Sequence, residues 1–216
     1  MNTSLFTESP FHRIHPDISL LQLEIYSPLK AEFEHLEQFS RCHLGDPFLL
    51  FVDDSGMLED SNRIIFFNNL KLKDCVEKEP FAIFDDFCWG MPYHYSSIFL
   101  RLREIPSDIV RIIVYLNAYQ DKEMPAVDFG MSEFIRVRLE NCDVWRNLPE
   151  NLSERDREVT STIVQWEVTK PTDKSTVIHL AEFSKVNSCW ELQFDGTPLP
   201  ANVKIKNVLR NHGAKF

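Results

Sequence analysis

The sequence predicts an all-β protein: an antiparallel two-sheet β-sandwich with one or two short helices, one of them C-terminal. Three observations predict it. Phe48 to Val52 is apolar at every position, so a strand there is covered on both faces. In all, roughly ten short segments lie along the chain, most of them alternating apolar and polar residues between turn formers. No Gly-rich linker or composition break divides them, which makes a single domain over 18–216 behind an N-terminal arm at 1–17.

In Ile18–Tyr26, Leu21, Leu23 and Ile25 share one face and Gln22 and Glu24 the other. Ser27-Pro28 then offers an N-cap and a first-turn proline. Leu29, Phe33, Leu36 and Phe39 recur at near-helical spacing, which predicts a short helix over 28–40, although Ala31, Phe33 and His35 also alternate as in a strand. The chain is organised around Pro47 to Asn69. Its apolar runs Phe48–Val52 and Ile64–Phe67 flank an acidic loop in which Gly56 can take a positive φ. They form a core hairpin, or two strands facing each other across the core. Such a loop is where an all-β protein places its chemistry.

Pro80–Asp86 reads as a strand ending in acids, and 87–97 as loop. Ile98, Leu100 and Leu102 alternate with Phe99, Arg101 and Arg103, ahead of a proline turn at 105–108. Val110–Leu116, Ile135–Leu139, Thr162–Val168, Thr176–Phe183 and Ser188–Phe194 complete the strands. Val203, Val208 and Leu209 mark a helix over 201–211. Phe66 and Val114 are expected in the core.

Bulk properties narrow the function classes. The net charge of −10, from 23 basic and 33 acidic residues, argues against nucleic-acid or anionic-membrane binding, which need positive potential. No run of apolar residues is long enough for a transmembrane helix, and the polar N-terminus lacks the layout of a signal peptide, so a cytoplasmic protein is expected. The five cysteines have no CxxC spacing and read as reduced structural thiols. The histidines show no zinc-ligand spacing, and no nucleophile-elbow or phosphate-loop motif is present.

Gly45-Asp46 before the first apolar strand, the turn Asp53-Asp54-Ser55-Gly56 and the closing Ile65-Phe66-Phe67-Asn68-Asn69 resemble the TerD family of bacterial tellurite-resistance and stress proteins. The resemblance continues in order through Leu102–Val114, Asp128-Phe129-Gly130, Phe134-Ile135-Arg136, Trp190–Phe194 and Leu209–Gly213, covering residues 44–216. It implies a divergent, non-enzymatic member acting in tellurite, phage or envelope stress, with stress-operon proteins as partners. It also implies a calcium loop, and here the sequence departs from the family. Asp86 and Gly90 persist, but Tyr95, Ser96 and Ser97 stand where the acidic triplet belongs, and Leu44 replaces the acid two positions before Asp46. Asp46, Asp85 and Asp86 remain as ligands of a weak or lost calcium site, or as turn caps at strand ends.

The loop that is small and acidic in the family is here aromatic. Phe87, Trp89, Tyr93 and Tyr95 form a partner-binding patch, or else fold back as a lid on the core. A second acidic cluster, Asp53, Asp54, Glu59 and Asp60, fits no EF-hand register and reads as a solvated loop. Two other function classes are a small hydrolase using Cys88 or a loop carboxylate, and a C2-like module that meets lipid through calcium.

Overall fold

A computed structural model describes residues 11–33, 43–66, 69, 82–86, 93–119, 127–145, 161–169 and 174–215. The strands are β1 (Phe11–Arg13), β2 (Leu21–Pro28), β3 (His43–Val52), β4 (Ile64–Ile65), β5 (Ala82–Asp86), β6 (Tyr93–Leu100), β7 (Arg111–Tyr119), β8 (Ile135–Asn141), β9 (Thr162–Val168), β10 (Val177–Val186) and β11 (Cys189–Pro198). Among the described residues two short helices are bounded, α1 (Cys142–Trp145) and α2 (Ile205–Asn211). The first sheet runs β1-β11-β10-β7-β3-β4 and the second β5-β6-β2-β8-β9, every pair antiparallel. This is the two-sheet sandwich expected from the alternating segments.

The stretch around β3 explains itself by what covers it. Leu49 and Phe51 point between the sheets, among Leu23, Ile98, Val114 and Phe183. Phe48, Leu50 and Val52 point the other way, under Val208 and Leu209 of α2. A strand sealed on both faces must be apolar throughout. The partner strand β4 closes a hairpin with Leu49 opposite Ile65 and Leu50 opposite Ile64. In the connecting loop Gly56 adopts φ +79°, as the turn requires. The loop is tied to the end of α2 by Leu58 N–H to the His212 carbonyl, 2.8 Å, and by His212 Nδ1 to the Gly56 carbonyl, 2.7 Å. Asn207 Oδ1 accepts from Lys204 N–H at 3.1 Å and so caps the first turn of α2.

Across the sandwich, Trp166 of β9 stacks on Phe194 of β11 with ring centroids 5.4 Å apart. Gly196 lets that ring approach, because a Cβ there would lie 2.2 Å from Trp166. β10 and β11 meet in a two-residue turn, Asn187 and Ser188 both at positive φ, which matches the twist of a tight hairpin.

Three expectations change. Ser27 and Pro28 do not open a helix: they end β2, paired with His94 and Tyr93, and Leu29 bridges to Ser132. The Ser27 hydroxyl meets that of Ser132 at 2.8 Å instead of capping a turn. Residues 34–40 lie outside the described set. Tyr93 to Ser97 is strand rather than loop, because β2 supplies ladder partners along its whole length. Phe66 is half-buried and stacks on Phe48 at 5.5 Å, at the margin of the α2-covered cluster, whereas Val114 is fully buried. Phe11–Arg13 pairs with β11 at the sheet edge, and the Ile14 side chain enters the core.

Candidate functional site

Alternation on β2 and β8 decides what the second sheet turns outward. Leu23 and Ile25, with Val137 and Leu139, face the core, so Gln22, Glu24 and Tyr26, with Arg136, Arg138 and Glu140, face away from it. Register sets them in rows. Tyr95, Tyr26, Arg136 and Glu167 form one row across β6, β2, β8 and β9. Ser97, Glu24, Arg138 and Gln165 form the next, and Gln22 opposite Glu140 begins a third. Opposite charges meet directly across strands, where side chains interact most strongly.

Glu24 is the hub. Its Oε1 accepts from the Tyr95 hydroxyl at 2.5 Å and from Gln22 Nε2 at 3.1 Å. Its Oε2 accepts from Arg138 Nε at 2.8 Å and from Arg138 Nη2. Arg138 Nε also lies 2.8 Å from Glu140 Oε1. Its single N–H is directed at Glu24, so the Glu140 contact is ionic, and Glu140 Oε1 receives no hydrogen bond. Glu140 Oε2 accepts from the Ser161 hydroxyl at 3.1 Å. Gln22 extends the network to Ser97 Oγ, 2.7 Å, and receives the Cys142 thiol at 3.7 Å. A cavity of about 300 Å³ opens over the first two rows, lined by Glu24, Tyr26, Tyr95, Arg136, Arg138 and Gln165.

Electrostatics follow from this packing. Burial, reinforced by the hydrogen bond to Glu24, pushes the Tyr95 phenol well above its ordinary value, so it stays a neutral donor. Burial also pushes the Glu140 carboxyl up, against the opposing pull of Arg138. The trough therefore presents fixed donors and paired charges.

The residues singled out in the sequence are scattered by the fold. Asp46 is buried in β3, at the bulge where the ladder to β7 shifts register. Asp85 and Asp86 lie on β5 opposite Ser97 and Ser96; only their backbone is described. Phe87 and Trp89 lie outside the described residues, as does Cys88. Tyr93 is placed by its ladder position at the start of β6. Tyr95 is not on a loop: it is a half-buried strand residue held by Glu24, and the cavity reaches its side chain. The acidic loop after β3 organises itself. Asp53 Oδ1 accepts from Ser55 N–H, Ser55 Oγ and Met57 N–H at 2.9, 2.6 and 2.9 Å, and Glu59 and Asp108 hold the buried Arg63. Among the described residues no group of three or more His, Cys, Asp or Glu side chains is placed to hold a metal. No helix among them is long and apolar enough to cross a membrane.

Glu24, Arg138 and Glu140 were not singled out as a site by the sequence reading. Their signal was present: Leu-Gln-Leu-Glu on β2 and Arg-Val-Arg-Leu-Glu on β8 place complementary charges at alternate positions. Only the strand order makes them neighbours.

No protein-family model and no curated protein matches the sequence. Solved structures do resemble the fold. A crystal structure of an unknown-function protein, SAV2460, matches with a TM-score of 0.56 at 13% identity, covering 92% of this chain and 99% of that one. A homologue of the telluride resistance protein TerD, SCO6318 from Streptomyces coelicolor A3(2), matches with a TM-score of 0.56 at 11% identity over the same shares of both chains. At that identity the likeness establishes architecture, and the chain has the fold of a TerD-like sandwich.

Proposed function

We propose that this protein is a divergent TerD-like stress-response protein that works by binding rather than catalysis, with the trough on the second sheet as its recognition surface. The observation that carries the reading is the Glu24 hub. By holding Tyr95 and Arg138 in place, it preorganises the surface before a ligand arrives, which lowers the ordering cost of association. The TerD-like architecture adds the expectation of a cytoplasmic role in tellurite, phage or envelope stress, with other stress-operon proteins as partners. Calcium at Asp46, Asp85 and Asp86 is weak or lost in this reading.

The test is complementation of a deletion host challenged with tellurite, phage and envelope stress. The wild-type chain should restore tolerance, and Arg136→Ala, at the half-exposed side of the trough, should not, while melting close to wild type. Full protection by that variant would remove the trough from the function. Turnover of any substrate in a broad hydrolase panel would overturn the binding reading itself.

A further inference from the structure

Two donors in the trough, Nη1 of Arg136 and the Gln165 amide, make no hydrogen bond to a described residue. Arg136 turns Nε and Nη2 toward one oxygen, Glu167 Oε2, at 3.3 and 3.2 Å. That is a long, one-oxygen contact, whereas a guanidinium fork gripping both carboxylate oxygens makes bonds of about 2.7–2.9 Å. The other edge of the guanidinium, which carries Nη1, is left open. The Gln165 amide is the second group. Arg136 lies opposite Glu167 and Arg138 opposite Gln165, so Arg136 and Gln165 are diagonal neighbours on one sheet face.

Beside its charged residues the cavity is lined by two aromatic rings, Tyr26 and Tyr95, and a third packs against one of its arginines. Phe134 lies under the Arg136 guanidinium, 4.8 Å from its ring centroid, and Tyr26 stands 5.9 Å from Phe134. The charge balance admits an anion. Glu24 and Glu167 are matched by Arg138 and Arg136, and burial drives Glu140 toward its neutral form. A cation would meet donors at the open end, and the central carboxylate, Glu24, has both oxygens engaged.

We infer that the trough binds a small, flat carboxylate, its two oxygens taking the open edge of Arg136 and the Gln165 amide while its ring lies against Tyr26. The inference rests on the trough being the recognition surface. The carboxylate comes either from a free aryl acid or from a peptide C-terminus ending in an aromatic residue. The cavity of about 300 Å³ is at the lower limit for small-ligand sites and suits a ligand of one ring.

Nuclear magnetic resonance titration of the full chain tests it, with benzoate, N-acetylphenylalanine and benzamidine as probes. Benzoate should shift the β8 and β9 amides and the Arg136 Nε–H saturably; benzamidine, its cationic isostere, should not. Arg136→Gln and Gln165→Leu should each weaken benzoate by about tenfold or more, as loss of a hydrogen bond to a charged group does. Tighter binding of N-acetylphenylalanine than of benzoate assigns the peptide terminus, and the reverse order assigns the free acid. Equal binding of benzamidine, no saturable benzoate shift, or benzoate shifts unchanged in both variants overturns the ligand class. If the class fails while Arg136→Ala still abolishes stress protection, the recognition surface stands with a different ligand. If protection also survives, both readings fall.

Discussion

The two outer faces of this sandwich are built from similar strands and treated in opposite ways. On the first sheet, Phe48, Leu50 and Val52 project outward beneath Val208 and Leu209, so the C-terminal helix turns an outer face into a second core. On the second sheet, the outward positions of β2 and β8 carry Gln22, Glu24, Arg136, Arg138 and Glu140, joined by ion pairs and hydrogen bonds. Burial on the first face is apolar and needs no directional partner. On the second it is polar, and a desolvated group without a directional partner is costly, as Glu140 Oε1 is here. A face that carries such a network keeps specific positions for charge and donors, and this is the material of recognition. The first face is the material of stability.

The contrast is broken most directly at Leu50, which is fully buried. Leu50→Ala should cost about 2–5 kcal/mol, the range for removing a buried aliphatic side chain. Chemical denaturation with an unchanged slope measures it. A loss below roughly 1 kcal/mol would mean that the helix does not seal this face.

A finer test lies on the polar face. A carboxyl whose folded pKa is raised binds a proton more readily folded than unfolded. Between its ordinary value of 4.5 and the raised one, the native state therefore holds more protons, and stability falls as pH rises through that window. Glu140→Gln removes this penalty while Glu24 continues to hold Arg138. The variant should be more stable than wild type near pH 7, with the gap narrowing as pH falls through that window and closed below the ordinary value of 4.5. Paired thermal melts across pH decide it. A variant less stable at neutral pH would make the Arg138 ion pair worth more than the burial of Glu140 costs.

The same contrast explains what was legible in the sequence. Doubly apolar β3 and the Val110–Leu116 face announced themselves because burial against hydrocarbon selects one kind of residue. The fold class followed from such segments. β6 was misread over Tyr93–Ser97 because Ser96 on its core side and Ser97 on its outer side are both buried, yet a pair of serines gives no alternation of hydropathy. Residues 28–29 were misread for a related reason. Ser27-Pro28 carries a real helix-start signal, and ladder partners from β6 override it. The trough was not recognised as a site because its charges come from separate strands, and their pairing is a property of topology. Asp46, Asp85 and Asp86 took their calcium role from resemblance, which assigns roles without placing side chains.

Calcium should produce the smallest effect, and the second sheet gives the reason. The hydroxyls standing opposite Asp85 and Asp86 belong to Ser97 and Ser96, both buried in the β6 ladder, and Ser97 Oγ already accepts from Gln22 Nε2 at 2.7 Å. Recruiting it as a ligand would mean giving up a buried hydrogen bond for contact with a hard dication that prefers carboxylates. Asp46, the remaining acid, is buried in β3 of the other sheet. The weak end of calcium sites lies near 1 mM. At about 1 mM free calcium a site of that strength adds only about 0.4 kcal/mol of stability, or roughly 1–2 °C for a chain of this size. Melts and calorimetry on chelator-stripped protein should therefore show no shift beyond that, and Asp46→Asn and Asp86→Asn should abolish whatever remains. A sub-micromolar site lost in Asp86→Asn would reverse the comparison, making the β5–β6 edge rather than the trough the charged centre of the second sheet.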